Sequence, residues 1–170
     1  MMAPAQGISQ VVKKEYTPVS QQLADRLDLQ ALNWTNTVFR PVAWDEAALA
    51  AMFPDYGIAD LSQSHDDGVT ETRFSLMKAK EFSAEVRIYF GPKAIDPRPF
   101  IEQSFLLFSG PPDWVNRLPD ASADFVGYYK SPERWVLISY GNIFMVVDGK
   151  QNAIGIARQM LASALASQPR

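Results

Sequence analysis

The sequence predicts an α+β fold: an antiparallel sheet of about five strands (a hairpin plus a three-stranded meander), packed with helices and closed by a C-terminal helix. Three observations predict it. Residues 124–166 hold three short apolar runs, 125–130, 134–140 and 143–148, followed directly by a helical pattern. Residues 69–77 and 82–90 alternate polar and apolar side chains, with a turn near Lys78-Ala79-Lys80. Strands joined by hairpins, with helices between the groups, do not give the one-for-one alternation that a parallel sheet needs.

Taken in order, residues 1–19 show no hydrophobic period and contain Pro4, Gly7 and Pro18, which reads as a flexible N-terminal arm. Val11 and Val12 could add a short edge strand to it. Residues 20–168 are expected to form a single α+β domain, since a chain of 170 residues can bury a self-sufficient core. Ser20 is a candidate cap for a helix over 20–32, with Ala24, Leu27 and Ala31 on one face. The stretch 33–42 reads as an extended connector or an edge strand, because Pro41 follows its apolar residues. Asp45 caps a second helix, with Trp44 before the cap and Leu49 inside it as a hydrophobic staple, and Pro54 ends it. Residues 55–68, dense in Asp, Ser and Gly, read as loop.

In the hairpin, Phe82, Ala84, Val86, Ile88 and Phe90 face inward, while Glu85 and Arg87 face a solvated side. Asp96-Pro97 opens a helix over 100–108, with a buried strand as the rival reading of this Phe-rich run, and Gly110-Pro111-Pro112 breaks it. Residues 113–122 are a loop. In the meander, Trp135, Leu137 and Ser139 oppose Val136, Ile138 and Tyr140, and Ile143, Met145 and Val147 oppose Phe144 and Val146. Both faces are apolar, so these strands belong at the covered centre of the sheet. Gly141-Asn142 suits a two-residue hairpin turn. Asn152 is the candidate cap of the last helix, whose stripe runs through Ile154, Ala157, Leu161, Ala164 and Leu165.

Composition narrows the function. A net charge of -3 without any basic block gives no electrostatic footprint for nucleic acid. No apolar run is long enough to span a bilayer. The absence of cysteine excludes disulfides, thiolate metal sites and a cysteine nucleophile. The start, Met1 to Gln6, lacks the charged and apolar regions of a signal peptide, so the chain is expected to be cytoplasmic or exported with its signal removed.

Two clusters invite a chemical reading. His65, the one histidine, stands beside Asp66 and Asp67 with Glu71 close behind, which suits a general base or metal site. Turn chemistry explains the same residues more simply, and zinc wants further ligands. Trp114, Tyr128, Trp135 and Tyr140, with Tyr129 and Phe144, form an aromatic set around the meander that could stack on a ligand or partner. Ordinary sheet packing accounts for them too. No nucleophile elbow or phosphate-binding glycine loop is present. The balance leans away from an enzyme and toward an uncharacterised ligand- or protein-binding module, exported or not. It would use Trp114, Tyr128, Trp135, Tyr140, His65 and Asp67 and need no metal or cofactor. The alternative is a small-molecule enzyme with a cavity between sheet and helix, using His65 and nearby carboxylates. A homodimer burying the second sheet face is a third reading.

Overall fold

The computed structural model describes residues 11–12, 15–107 and 110–169. The chain begins with β1 (Val11–Val12), which pairs with β2 (Trp34–Thr35) in a small ribbon of its own. The edge strand expected in the arm is therefore present, while residues 1–10 and 13–14 of that arm lie outside the described residues. Helix α1 (Gln21–Arg26) is capped by Ser20, whose hydroxyl accepts from the Leu23 amide. It is shorter than the sequence suggests. Asp28 adopts a left-handed φ of 53°, and the chain continues as a separate 3-10 turn (Leu29–Ala31) that leaves Ala31 exposed. Helix α2 (Glu46–Met52) has the expected Asp45 cap, and Trp44 and Leu49 are buried in one cluster as the staple requires.

The main sheet has seven antiparallel strands, two more than the sequence reading gave. They are β3 (Gly57–Asp66), β4 (Val69–Lys78), β5 (Glu81–Phe90), β6 (Val115–Arg117), β7 (Phe125–Tyr129), β8 (Trp135–Tyr140) and β9 (Ile143–Gly149). Their order is β3-β4-β5-β9-β8-β7-β6, so β9 lies in the middle and joins the hairpin to the meander. The two added strands are the edges. β3 runs through what reads as loop because its side chains are polar and mostly exposed on both faces, which erases the period-two signal. Its hairpin turn is nevertheless written in Asp67-Gly68, both at positive φ, the strongest short-range hairpin signature. β6 is only three residues long, and the Arg26 guanidinium covers its edge by donating to the Val115 carbonyl.

Two smaller expectations also need correction. Phe82 points outward, 42% exposed, because the register slips between Leu76↔Ala84 and Met77↔Phe82 and a bulge at Ser83 reverses its side. Asn152 does not cap the last helix, α4 (Ala153–Ala166), through its side chain: it sits at φ 60°. The turn before β8 does the capping instead, with Glu133 and Pro132 carbonyls accepting from the Ala153 and Ile154 amides.

Each face of the sheet has its own core. On the first, α2 and α4 cover Phe74, Val86, Ile88, Val136, Ile138, Met145 and Val147. On the second, α1, the 3-10 turn and α3 (Arg98–Leu106) cover Val115, Phe125, Trp135 and Leu137. The alternation in β8 and β9 thus partitions as the sequence indicates, and C-terminal α4 closes the first face. The second face differs at one place. Over β5 and β9, α3 reaches it through the Phe100 ring without burying it, and Phe144 and Val146 are only partly buried.

Candidate binding groove

The uncovered part of the second face forms a regular grid, because side chains at paired positions share a side of the sheet. Strand registers set three rows: Ser75–Glu85–Asp148–Trp135, then Arg73–Arg87–Val146–Leu137, then Glu71–Tyr89–Phe144–Ser139. The face is charged along β4 and β5 and mainly apolar along β9 and β8, where Asp148 and Ser139 are the polar exceptions. The residues facing a solvated side in the sequence reading, Glu85 and Arg87, are thus the polar flank of an apolar floor.

Helix α3 makes the wall, and its sequence divides it into three sides. Ile101 and Phe105 enter the second core. Arg98 and Glu102, 0% and 1% exposed, are turned toward the segment that leads into α1. Glu102 accepts from the Tyr16 hydroxyl and from the amides of Val19 and Ser20. Arg98 binds the Asp96 carboxylate through Nε and Nη2 (2.9 and 2.8 Å) and lies between the Tyr16 and Trp34 rings, 4.7 and 5.3 Å from their centroids. The third side, Pro97, Phe100, Ser104 and Leu107, faces the grid.

Between that wall and the floor lies a groove of about 710 Å³. Tyr89, Phe144 and Val146 line its bottom, and the loop after β5, with Pro92, Lys93 and Ile95, closes one end. Tyr89 and Phe100 both stack on Phe144, each with centroids 6.4 Å away. Phe100, Ile95 and Leu107 are 52%, 42% and 81% exposed, so apolar surface concentrates along the rim. The volume falls in the range typical of ligand sites, roughly 300–1,000 Å³.

The charged flank is internally paired. Glu85 accepts from Arg87 Nε at 2.8 Å and from Arg73 Nη2 at 3.2 Å, and this carboxylate raises the Arg87 pKa. Burial, reinforced by Glu71, raises that of Tyr89. Asp148 stands across the ladder from Glu85. Burial foremost, then the Glu85 charge, raises its pKa, against opposing pulls from Arg134 and Arg87. The Asp148 carboxylate makes no hydrogen bond or ion pair with a described residue.

The six residues singled out from sequence do not gather in one place. Trp135 alone lines the groove, at the Asp148 end, with its ring edge-on to Phe105. Tyr128 and Tyr140 belong to the opposite face, where Tyr140 packs edge-on against Phe39. Trp114 is on the rim of the second core, beside Tyr129 and beneath Lys130. His65 and Asp67 are exposed at the β3–β4 hairpin, the His65 ring 2.8 Å from the Thr70 hydroxyl. Among the described residues no three His, Cys, Asp or Glu side chains are grouped closely enough to hold a metal ion, and no helix is long and apolar enough to cross a membrane. Tyr89, Phe144, Val146, Phe100 and Leu107 line the groove and were not among the six singled out from the sequence. The signal was present as a polar-flanked alternation in β5 set against a doubly apolar β9, but pairing those two strands required the fold.

Comparison of the chain with protein-family models, curated proteins and solved structures finds no match.

Proposed function

We propose that this chain is a binding module without catalytic machinery of its own, and that its binding surface is the groove between α3 and strands β5 and β9. One observation carries the reading: the sheet face is apolar at Phe144 and Val146, yet α3 leaves both only partly buried, and exposed Phe100, Ile95 and Leu107 edge the opening. Burying such surface favours association by roughly 25 cal/mol per Å² before the costs of binding. The charged flank supports recognition more than catalysis, because Glu85, Arg87 and Arg73 satisfy one another. The test is titration with Nile red, an uncharged apolar dye, read by its fluorescence and by the part of the tryptophan quenching that is lost in Trp135→Phe. Saturable one-to-one binding is expected, weakened at least about tenfold by Leu107→Glu or Phe100→Glu at unchanged melting temperature. Binding that ignores both substitutions would refute the assignment to this groove.

A further inference from the structure

We propose that the occupant of the groove is an amphipathic α-helix of a partner protein. It would lie beside α3, with a basic residue at the Asp148 end and an acidic residue about three turns away at the Lys93 end. This deepens the reading above and rests on it.

The first argument is architectural. Helices cover the first face of the sheet and the β6–β8 half of the second, so among the described residues the helical layer stops at the bare strip over β5 and β9. Neighbouring helices in such a layer sit roughly 8–10 Å apart, with ridges packed into grooves. α3 presents such a ridge on its free side: Phe100, Ser104 and Leu107, at steps of four and three, with the small Ser104 as a notch between two large side chains. A second helix with apolar residues at the same spacing would fill that notch and rest on Phe144 and Val146.

The second argument is exposure. A small ligand is buried mostly by the pocket that holds it. Here the apolar rim stands well clear of the floor, with Leu107 81% exposed and Phe100 52% exposed. An elongated partner covers both.

Charge sets the direction. The groups facing Asp148 are Glu85, Arg87 and Arg134. Arg87 is held by Glu85, and Arg134 donates from Nε to the Gly149 carbonyl, which leaves the Asp148 carboxylate unbonded among described residues. At the other end Lys93, exposed on the loop beyond β5, also lacks an ion pair with any described residue. Gly91, two residues before it, donates to the Asn142 carbonyl, which places this loop at the start of β9. From Ile143 to Asp148 the strand advances about 17 Å, which is roughly 11 residues of helix. A helix with Lys and Glu so spaced, joined by an apolar stripe, complements both ends.

The test uses the whole chain and two synthetic 18-residue helical peptides. Both carry a Leu/Phe stripe; one has Lys and Glu in the stated arrangement, the other has them exchanged. Fluorescence anisotropy gives the affinities, and amide exchange maps protection. The matched peptide should bind and protect β5, β9 and α3. The exchanged peptide should bind up to about fivefold more weakly per end, as expected for exposed ion pairs. Leu107→Glu, or Ser104→Trp, which fills the notch, should weaken binding at least about tenfold. Asp148→Lys, on an exposed position, should invert the preference between peptides. Equal affinities that ignore Asp148→Lys overturn the charge register, and binding indifferent to Ser104→Trp and Leu107→Glu overturns the location. If no peptide binds while Nile red still binds and remains sensitive to Leu107→Glu, the helix is refuted and the groove reading survives. If neither binds, both fall.

Discussion

Replacing Glu102 by Gln removes one charge and keeps the side-chain shape, at a site where the consequences can be counted. Glu102 is 1% exposed and accepts three hydrogen bonds, one oxygen serving Tyr16 and Val19 and the other serving Ser20. In the Glu102→Gln variant the amide oxygen can still serve Tyr16 and Val19, but the amide nitrogen then meets the Ser20 N–H donor to donor. One buried donor loses its partner, at about 1–3 kcal/mol, and two bonds weaken from charge-assisted to neutral, at roughly 0.5–1 kcal/mol each. Gln is cheaper to bury than a carboxylate, which offsets part of this. The net loss should be about 3 kcal/mol. With an unfolding entropy of roughly 2.1 cal/mol/K per residue over 170 residues, the melting temperature should fall by about 8 °C. Circular dichroism melts and urea titration measure this directly. Because Ser20 caps α1, amide exchange should also accelerate from Tyr16 through Leu27. Tyr16→Phe removes a single bond and should cost about 1 kcal/mol, with less than additive loss in the double variant. If Glu102→Gln stays within about 0.5 kcal/mol of the parent, the three bonds to Tyr16, Val19 and Ser20 do not hold α3 to the segment before α1.

Further outcomes follow from other parts of the fold. Gly141→Ala places a methyl group 2.5 Å from the Thr37 carbonyl at φ 58°, so a loss of about 2–3 kcal/mol is expected in urea unfolding. Asp120 and Asp148 should respond to pH in opposite directions. Bonds from Ser122, then Arg158, lower the Asp120 pKa, so its stabilisation is present above the unfolded-state pKa and is lost as pH falls through the folded one. Asp120→Asn should therefore destabilise by about 1 kcal/mol at neutral pH and match the parent in acid. The Asp148 pKa is raised, so its charge disfavours the fold at neutral pH, and the penalty fades as pH falls through the folded value toward the unfolded one. Asp148→Asn should be neutral to stabilising at pH 7, with the difference vanishing below that window; paired melts across pH decide both. Native-state amide exchange should be slowest in β8 and β9, which are hydrogen-bonded to a strand on each side and fully covered on the first face.

Several features of the fold could be read from residues close together in the chain. Period-two alternation in 134–140 and 143–148 assigned each side chain to its face, and Asp45 with Trp44 and Leu49 marked the start of α2. These are local effects: strand pleat, helix capping and turn chemistry act over a few residues. The helix beginning near Asp96-Pro97 was legible for the same reason, with the Asp96 carboxylate accepting from the Arg98 amide. The candidate groove was much less so. Aromatic residues drew the eye to Tyr128 and Tyr140, yet the pleat sends them to the opposite face from Trp135.

The sequence by itself determined the fold class, the apolar character of both faces of β8 and β9, and the absence of thiol chemistry, because composition and hydrophobic period are properties of neighbouring residues. Only the tertiary structure decided that β9 pairs with β5, that a polar segment becomes the edge strand β3, and that α3 stops short of covering Phe144 and Val146. Those outcomes depend on contacts between residues tens of positions apart, such as Glu102 holding Tyr16 and Ser20, and no local pattern encodes which distant partner a surface will find.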